Sequence, residues 1–133
     1  MTIPRLVLDT HVWLWMVLAP ERLSEVASDA LANGDNETTL SVASAWELAI
    51  KQALGKLSAP SPVEAWIKSS LQDFDLAVLP IGLQHALVAA SLPPIHKDPF
   101  DRMLIAQAQV EGLVLVTADE SIRQYGGAVL WAI

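Results

Sequence analysis

The residues of this chain best placed to do chemistry are carboxylates in apolar surroundings. Asp9 ends the run RLVLD, Glu47 lies in WELAIKQAL, Asp101 lies in DPFDRMLIAQA, and Asp119 follows LVLV after Thr117 and Ala118. On a helix, Leu104, Ile105 and Ala108 share a face with Asp101 at i+3, i+4 and i+7. An acid on such an inward face is costly to bury unpaired. Acids converging at one place repel each other, and a divalent cation resolves that repulsion. Carboxylates are hard oxygen donors and suit magnesium or manganese. The chain has no cysteine and no HExxH segment, so it offers no zinc alternative. Carboxylates holding one or two ions suit phosphodiester hydrolysis: one ion activates the attacking water, and another stabilises the leaving oxygen. Arg102 or Lys51 is the cation expected near the charge developing on the phosphate.

Convergence depends on the elements that carry these acids. RLVLD suits a buried parallel strand running into a helix from His11 to Leu18. Pro20 and Glu21 break that helix, and Ser24 caps the next, EVASDALAN. Asn33 to Asn36 forms a turn, Thr38 to Ser41 a strand, and Ser44 caps a helix that stops at Gly55. Pro60 and Pro62 mark a loop before an amphipathic helix from Val63 to Phe74. Leu76 to Leu79 is a third strand, followed by helices over Leu83–Ser91 and about Phe100–Gln109, the latter halted at Gly112. Leu113 to Val116 is the clearest buried strand. Asp119 then opens a short helix, and Val129 to Trp131 forms a last strand. This alternation predicts an α/β, three-layer fold with a central, mostly parallel sheet of about five strands flanked by helices. Function in such sheets sits at the carboxyl ends of the strands, where Asp9 and Asp119 both emerge. Glu47, one turn into its helix, can point back toward the same edge.

A length of 133 residues implies one domain, 1–133, able to bury a core without disulfide or metal staples. The composition is 53% hydrophobic and 17% charged, which fits a doubly covered sheet or an apolar surface awaiting a partner. A net charge of −7 argues against broad, non-specific nucleic-acid binding. It says little about the cleft, because two divalent ions there would return about +4. The apolar stretch Leu6 to Ala19 contains Asp9 and His11 and falls short of the roughly 20 residues of a membrane span. No membrane association and a cytoplasmic location are therefore expected.

The segments LVLDTHVWLW, SAWELAIKQALGKL, HKDPFDRMLIAQA and LVLVTAD together resemble the PIN domain, in its VapC-type branch of bacterial toxin–antitoxin pairs. The likeness runs in order over essentially the whole chain. It implies that Asp9, Glu47, Asp101 and Asp119 form the catalytic, metal-holding site, with Thr10, Ser44 and Thr117 as polar helpers. It also implies magnesium- or manganese-dependent cleavage of RNA, homodimers, and inhibition by a cognate antitoxin whose tail enters the cleft. Asp98 is a fifth acid of the same segment. Asp101 is preferred as the ligand, because the family's acid immediately precedes the apolar helix.

Plainer roles compete with each of these. Asp9, Asp98 and Asp119 all stand where helix caps stand, and Asp98 before Pro99 suits a cap better than a ligand. Glu47 and Lys51 are spaced for an i,i+4 surface salt bridge. His11, His85 and His96 read as surface or edge residues, with only His96 near the cleft. The tryptophans suit core or interface, and Trp13, Trp15 and Trp46 surround the early helices where a dimer contact would form. A haloacid-dehalogenase-type phosphatase would need an acid two residues after Asp9, where His11 stands. A dinucleotide site would need glycines that DTHVW lacks. The alternative that remains is a catalytically inactive PIN-like binding module.

Overall fold

The computed structural model describes residues 4–57 and 61–133. Pro60, assigned to a loop with Pro62, lies outside the described residues. The chain runs β1 (Arg5–Leu8), α1 (Thr10–Leu18), a 3-10 turn (Pro20–Arg22), α2 (Glu25–Ala32), β2 (Glu37–Ser41) and α3 (Val42–Ala53). It continues with α4 (Val63–Asp73), β3 (Ala77–Leu79), α5 (Leu83–Ser91), α6 (Pro99–Glu111), β4 (Val114–Thr117), α7 (Glu120–Arg123) and β5 (Val129–Trp131). The sheet has the order β3-β2-β1-β4-β5, and every pairing is parallel. Parallel neighbours require crossovers, which the helices supply.

Alternation along the strands builds the layers. Leu6 and Leu8 of β1 join Leu40, Val116, Val12, Trp13, Met16 and Trp66 on one face. Val7 joins Leu115, Leu104, Ile105, Ala108 and Ile122 on the other. The sheet is thus covered on both sides, which accounts for the apolar composition. Among the described residues, no helix is long and apolar enough to cross a membrane.

Local signals set most boundaries. The Ser24 side chain accepts from Ala27 N at 3.1 Å and starts α2. Asp98 accepts from Phe100 N and Asp101 N, with Pro99 in the first turn, and starts α6. Gly112 ends α6 at φ +67, a left-handed conformation that costs glycine little. One cap differs from expectation. Ser41, not Ser44, caps α3, accepting from Ala43 N at 3.0 Å. β2 runs into the helix without a loop, so the cap is the last strand residue and Ser44 falls in the first turn. The Ser41 hydroxyl also donates to Gln107 Oε1, and Gln107 Nε2 donates to Pro80 O. These bonds lock α6 across the carboxyl edge of β2 and β3.

The tryptophans divide. Trp13 is wholly buried and stacks on Trp66 with ring centroids 4.6 Å apart. Of the two roles expected for the tryptophans, core and interface, Trp13 takes the core. Trp15 is half-buried beneath the Arg22 guanidinium, and Trp46 is 57% exposed with its ring set edge-on to Phe100. Trp13→Ala should lower unfolding stability by about 3–5 kcal/mol, because the stack leaves a cavity. Trp46→Ala should cost about 1 kcal/mol or less. Urea denaturation of both variants checks the contrast.

Candidate metal centre

β1 is the middle strand, and the chain order reverses between it and β4. In open α/β sheets the crevice at such a switch point is where ligands bind. The register pairs Leu8 with Val116, so Asp9 emerges beside Thr117. Asp9 N donates to Val116 O at 3.0 Å, which extends the ladder by one residue and fixes the Asp9 backbone. Asp9 stands at the N-cap position of α1, yet its side chain caps nothing. Oδ2 accepts from the Thr117 hydroxyl at 2.7 Å, while buried Oδ1 has no partner.

The first turn of α6 and the start of α7 bring the other aspartates in. Asp119 caps α7 through Oδ1, which accepts from Ser121 N at 2.8 Å, so capping and a place in the cluster coexist. Its Oδ2 lies 3.0 Å from His96 Nε2, and Asp101 Oδ2 lies 3.0 Å from the same nitrogen. His96, Asp101 and Asp119 each offer a donor atom within 4.8 Å of the others. Asp98 serves the helix as its cap.

Glu47 projects from the second turn of α3 and is 3% exposed. Its Oε2 accepts from Lys51 Nζ at 2.8 Å, and its Oε1 is buried without a partner. The expected i,i+4 pair exists, but it is not a surface pair, since the glutamate end is buried. The Thr10 hydroxyl donates to the Ser44 hydroxyl at 2.8 Å, tying the start of α1 to α3.

Arg102 departs from expectation. Its Nη1 donates to Pro93 O and His96 O, and its Nη2 donates to Ala89 O and Leu92 O. With both terminal nitrogens engaged by carbonyls, the guanidinium holds the α5–α6 loop and is not free for a phosphate. The histidines depart too. His85 is buried, with Nδ1 accepting from Gly82 N and Nε2 2.9 Å from Glu111 Oε1. His11 is exposed and lines a cleft of about 240 Å³ with Asp9, Trp15, Ala118 and Asp119. His96 lies within the acidic group itself. The sequence alone sets it only near the cleft. The missed signal is its position two residues before the cap Asp98, from which the ring folds back so that Nδ1 accepts from Asp98 N at 3.2 Å. A separate apolar cavity of about 290 Å³, lined by residues such as Ile105, Leu115, Tyr125 and Val129, contains no acid. The carboxylate chemistry belongs to the acidic cleft.

Electrostatics match the crowding. Burial, then the charges of Asp9 and Asp98, push Asp101 up to about 8, with Glu47 adding to the rise and His96 opposing it. Burial also raises Asp9, against the Thr117 hydrogen bond. For His96, burial opposes the charged ring, but the Asp119 hydrogen bond and the neighbouring carboxylates outweigh it, so its pKa rises. The hydrogen bond from Lys51 to Glu47 raises the lysine and keeps it charged. Crowded oxygen donors with unpartnered buried atoms on Asp9 and Glu47 fit a hard divalent cation.

The family model of the PIN domain matches residues 6–128. Ribonuclease VapC22 of Mycobacterium tuberculosis (strain ATCC 25618 / H37Rv) is 34% identical over 121 residues, which cover 89% of each chain. The fold superposes on VapBC2 from Rickettsia felis, bound to a fragment of its promoter DNA, with a TM-score of 0.73, 12% identity and coverage of 97% of this chain and 99% of that one. DNA-bound VapBC from Salmonella typhimurium gives a TM-score of 0.71 at 20% identity, covering 96% of this chain and 97% of that one. At those identities the structural likeness is one of fold.

The raised Asp101 carries a consequence for the metal-free protein. The folded state holds this proton more tightly than the unfolded chain, whose aspartate titrates near 3.8. The associated stability is therefore complete below about pH 4 and is lost as pH rises toward 8. Asp101→Asn should raise the melting temperature of metal-free protein at pH 8, with the gain shrinking toward pH 4. Thermal scans across that range in EDTA check it, and a lower melting temperature at pH 8 would make Asp101 structural.

Proposed function

The chain belongs to the PIN-domain family, and from that premise we propose that it is a magnesium- or manganese-dependent endoribonuclease, the toxin of a toxin–antitoxin pair. The observation that carries this reading is the convergence of Asp9, Asp101 and Asp119, with Glu47 behind them, at the carboxyl edge of the sheet, with buried carboxylate oxygens left unpartnered. The Mycobacterium relative is a ribonuclease, which supports RNA as the substrate. The VapBC assemblies that share the fold support a cognate antitoxin as partner. A homodimer and a cytoplasmic location complete the proposal.

In this reading Asp9, Asp101, Asp119 and Glu47 hold the ion or ions. A bound divalent ion supplies the positive charge that activates water and stabilises the leaving oxygen. The chain's own residues prepare that place. Thr117 donates to one oxygen of Asp9 and leaves the other oxygen free. Ser121 N fixes one oxygen of Asp119 and leaves the other toward Asp101. Lys51, with 40% of its side chain exposed and its charge secured by Glu47, is the cation available to a phosphate. Thr10 and Ser44 brace α1 against α3, so that Asp9 and Glu47 keep their relation.

Incubation of the purified protein with total RNA should give cleavage that requires Mg2+ or Mn2+ and stops with EDTA. Asp9→Asn and Asp101→Asn should each reduce the rate by at least about a hundredfold while leaving the circular dichroism unchanged. Metal-independent cleavage that survives in either variant would sink the proposal. Folded protein inert with both metals would favour a PIN-like binding module. Induction in a host without the antitoxin should slow growth, and unchanged growth would count against the toxin role alone.

A further inference from the structure

His96 is held from several directions, and all of them converge on the orientation of its ring. Its backbone N donates to the Tyr125 hydroxyl at 2.7 Å, and that hydroxyl donates to Pro93 O at 2.8 Å. Its carbonyl accepts from Arg102, which also clamps Ala89, Leu92 and Pro93. Its Nδ1 accepts from Asp98 N at 3.2 Å. A loop residue that served only as a connector would not need this much fixing.

The Nδ1 contact decides what Nε2 can do. A backbone N–H can only donate, so Nδ1 presents its lone pair and the neutral ring carries its proton on Nε2. Protonating the ring would add a hydrogen at Nδ1 and give up the Asp98 contact, but Nε2 would still carry its own proton. Nε2 is therefore a donor in either state. Its hydrogen bond runs to Asp119 Oδ2, and Asp101 Oδ2 lies equally close. Distance alone would group His96 with the two aspartates as a nitrogen ligand. Binding an ion through Nε2 would move the proton to Nδ1, facing the Asp98 N–H donor to donor. The buried, unpartnered Oδ1 of Asp9 shows that the open ligand capacity lies on the oxygen side of the cluster.

We infer that His96 is a positioning residue of the acidic centre: its Nε2–H holds the Asp119 carboxylate against Asp101 and is not itself an ion ligand. This rests on the metal-dependent reading above and adds a residue to it. Donors that orient ligating carboxylates typically change metal affinity by 10–100-fold when removed. A glutamine amide reaches the position of Nε2, whereas an asparagine amide stands where Nδ1 stands.

The test is Mn2+ binding by purified protein, followed by electron paramagnetic resonance titration. His96→Ala and His96→Asn should each weaken binding about tenfold, and His96→Gln should restore it to within about threefold of wild type. Pulsed spectra of Mn2+ on the wild-type protein should show no directly bound imidazole nitrogen, and this measurement needs no variant to fold. A strong imidazole nitrogen coupling overturns the inference. So does wild-type affinity in His96→Ala, a His96→Gln variant as weak as His96→Ala, or a wild-type protein that binds no Mn2+. Because the readout is metal binding, an absence of RNA cleavage would overturn the nuclease reading and leave this result standing.

Discussion

Mutual repulsion of partly dehydrated carboxylates is the constraint that the rest of this structure answers. Asp9, Asp98, Asp101, Asp119 and Glu47 crowd one edge of the sheet, and the most perturbed of them, Asp101, is pushed up to about 8. Each neighbour holds its position through a donor that leaves part of its carboxylate toward the cluster. Thr117 serves Asp9, Ser121 N serves Asp119, Lys51 serves Glu47, and the first amides of α6 serve Asp98. Such an arrangement lowers the cost of each charge without neutralising the group as a whole. It leaves a net demand for positive charge that the chain itself meets only in part.

Topology makes the crowding possible. A parallel sheet sends every strand's carboxyl end to the same edge, and the central position of β1 puts Asp9 between the elements that follow β2 and β4. The polar bonds that tie the layers together at that edge are buried or part-buried. Ser41, Gln107 and Pro80 tie α6 to the β2 and β3 ends, and Thr10 and Ser44 tie α1 to α3. The apolar faces set the layers, whereas these polar contacts set where the layers sit relative to one another at the place that matters.

Much of this was legible in the residues. The strands, the helices and the acids at their ends follow from apolar runs, caps and spacing, because those signals are local. Gly112 stops α6, and Asp98 with Pro99 starts it, as their chemistry requires. What escaped reading depends on contacts across the chain. Ser44 has the composition of a cap, but β2 delivers Ser41 to that place first. Arg102 looks like a phosphate ligand until the α5–α6 loop is seen wrapped around it. Trp13 shares a helix with half-exposed Trp15, and only the position of Trp66 shows which of the two is core. His96 has no pattern of its own, and its place beside Asp119 exists only after α7 is packed.

Asp101 and Arg102 are adjacent in α6 but face opposite tasks, one in the acidic group and the other in the carbonyl cage of the preceding loop. Their adjacency makes the segment from Leu92 to Arg102 a single hereditary unit. A residue inserted or removed between Pro93 and Asp98 would force the loop to choose between the arginine and the cap, and either choice would carry His96 away from Asp119. Lengthening this connection should therefore cost the acidic group its geometry. His96, Asp98, Pro99, Asp101 and Arg102 each do their work only at the spacing the others set.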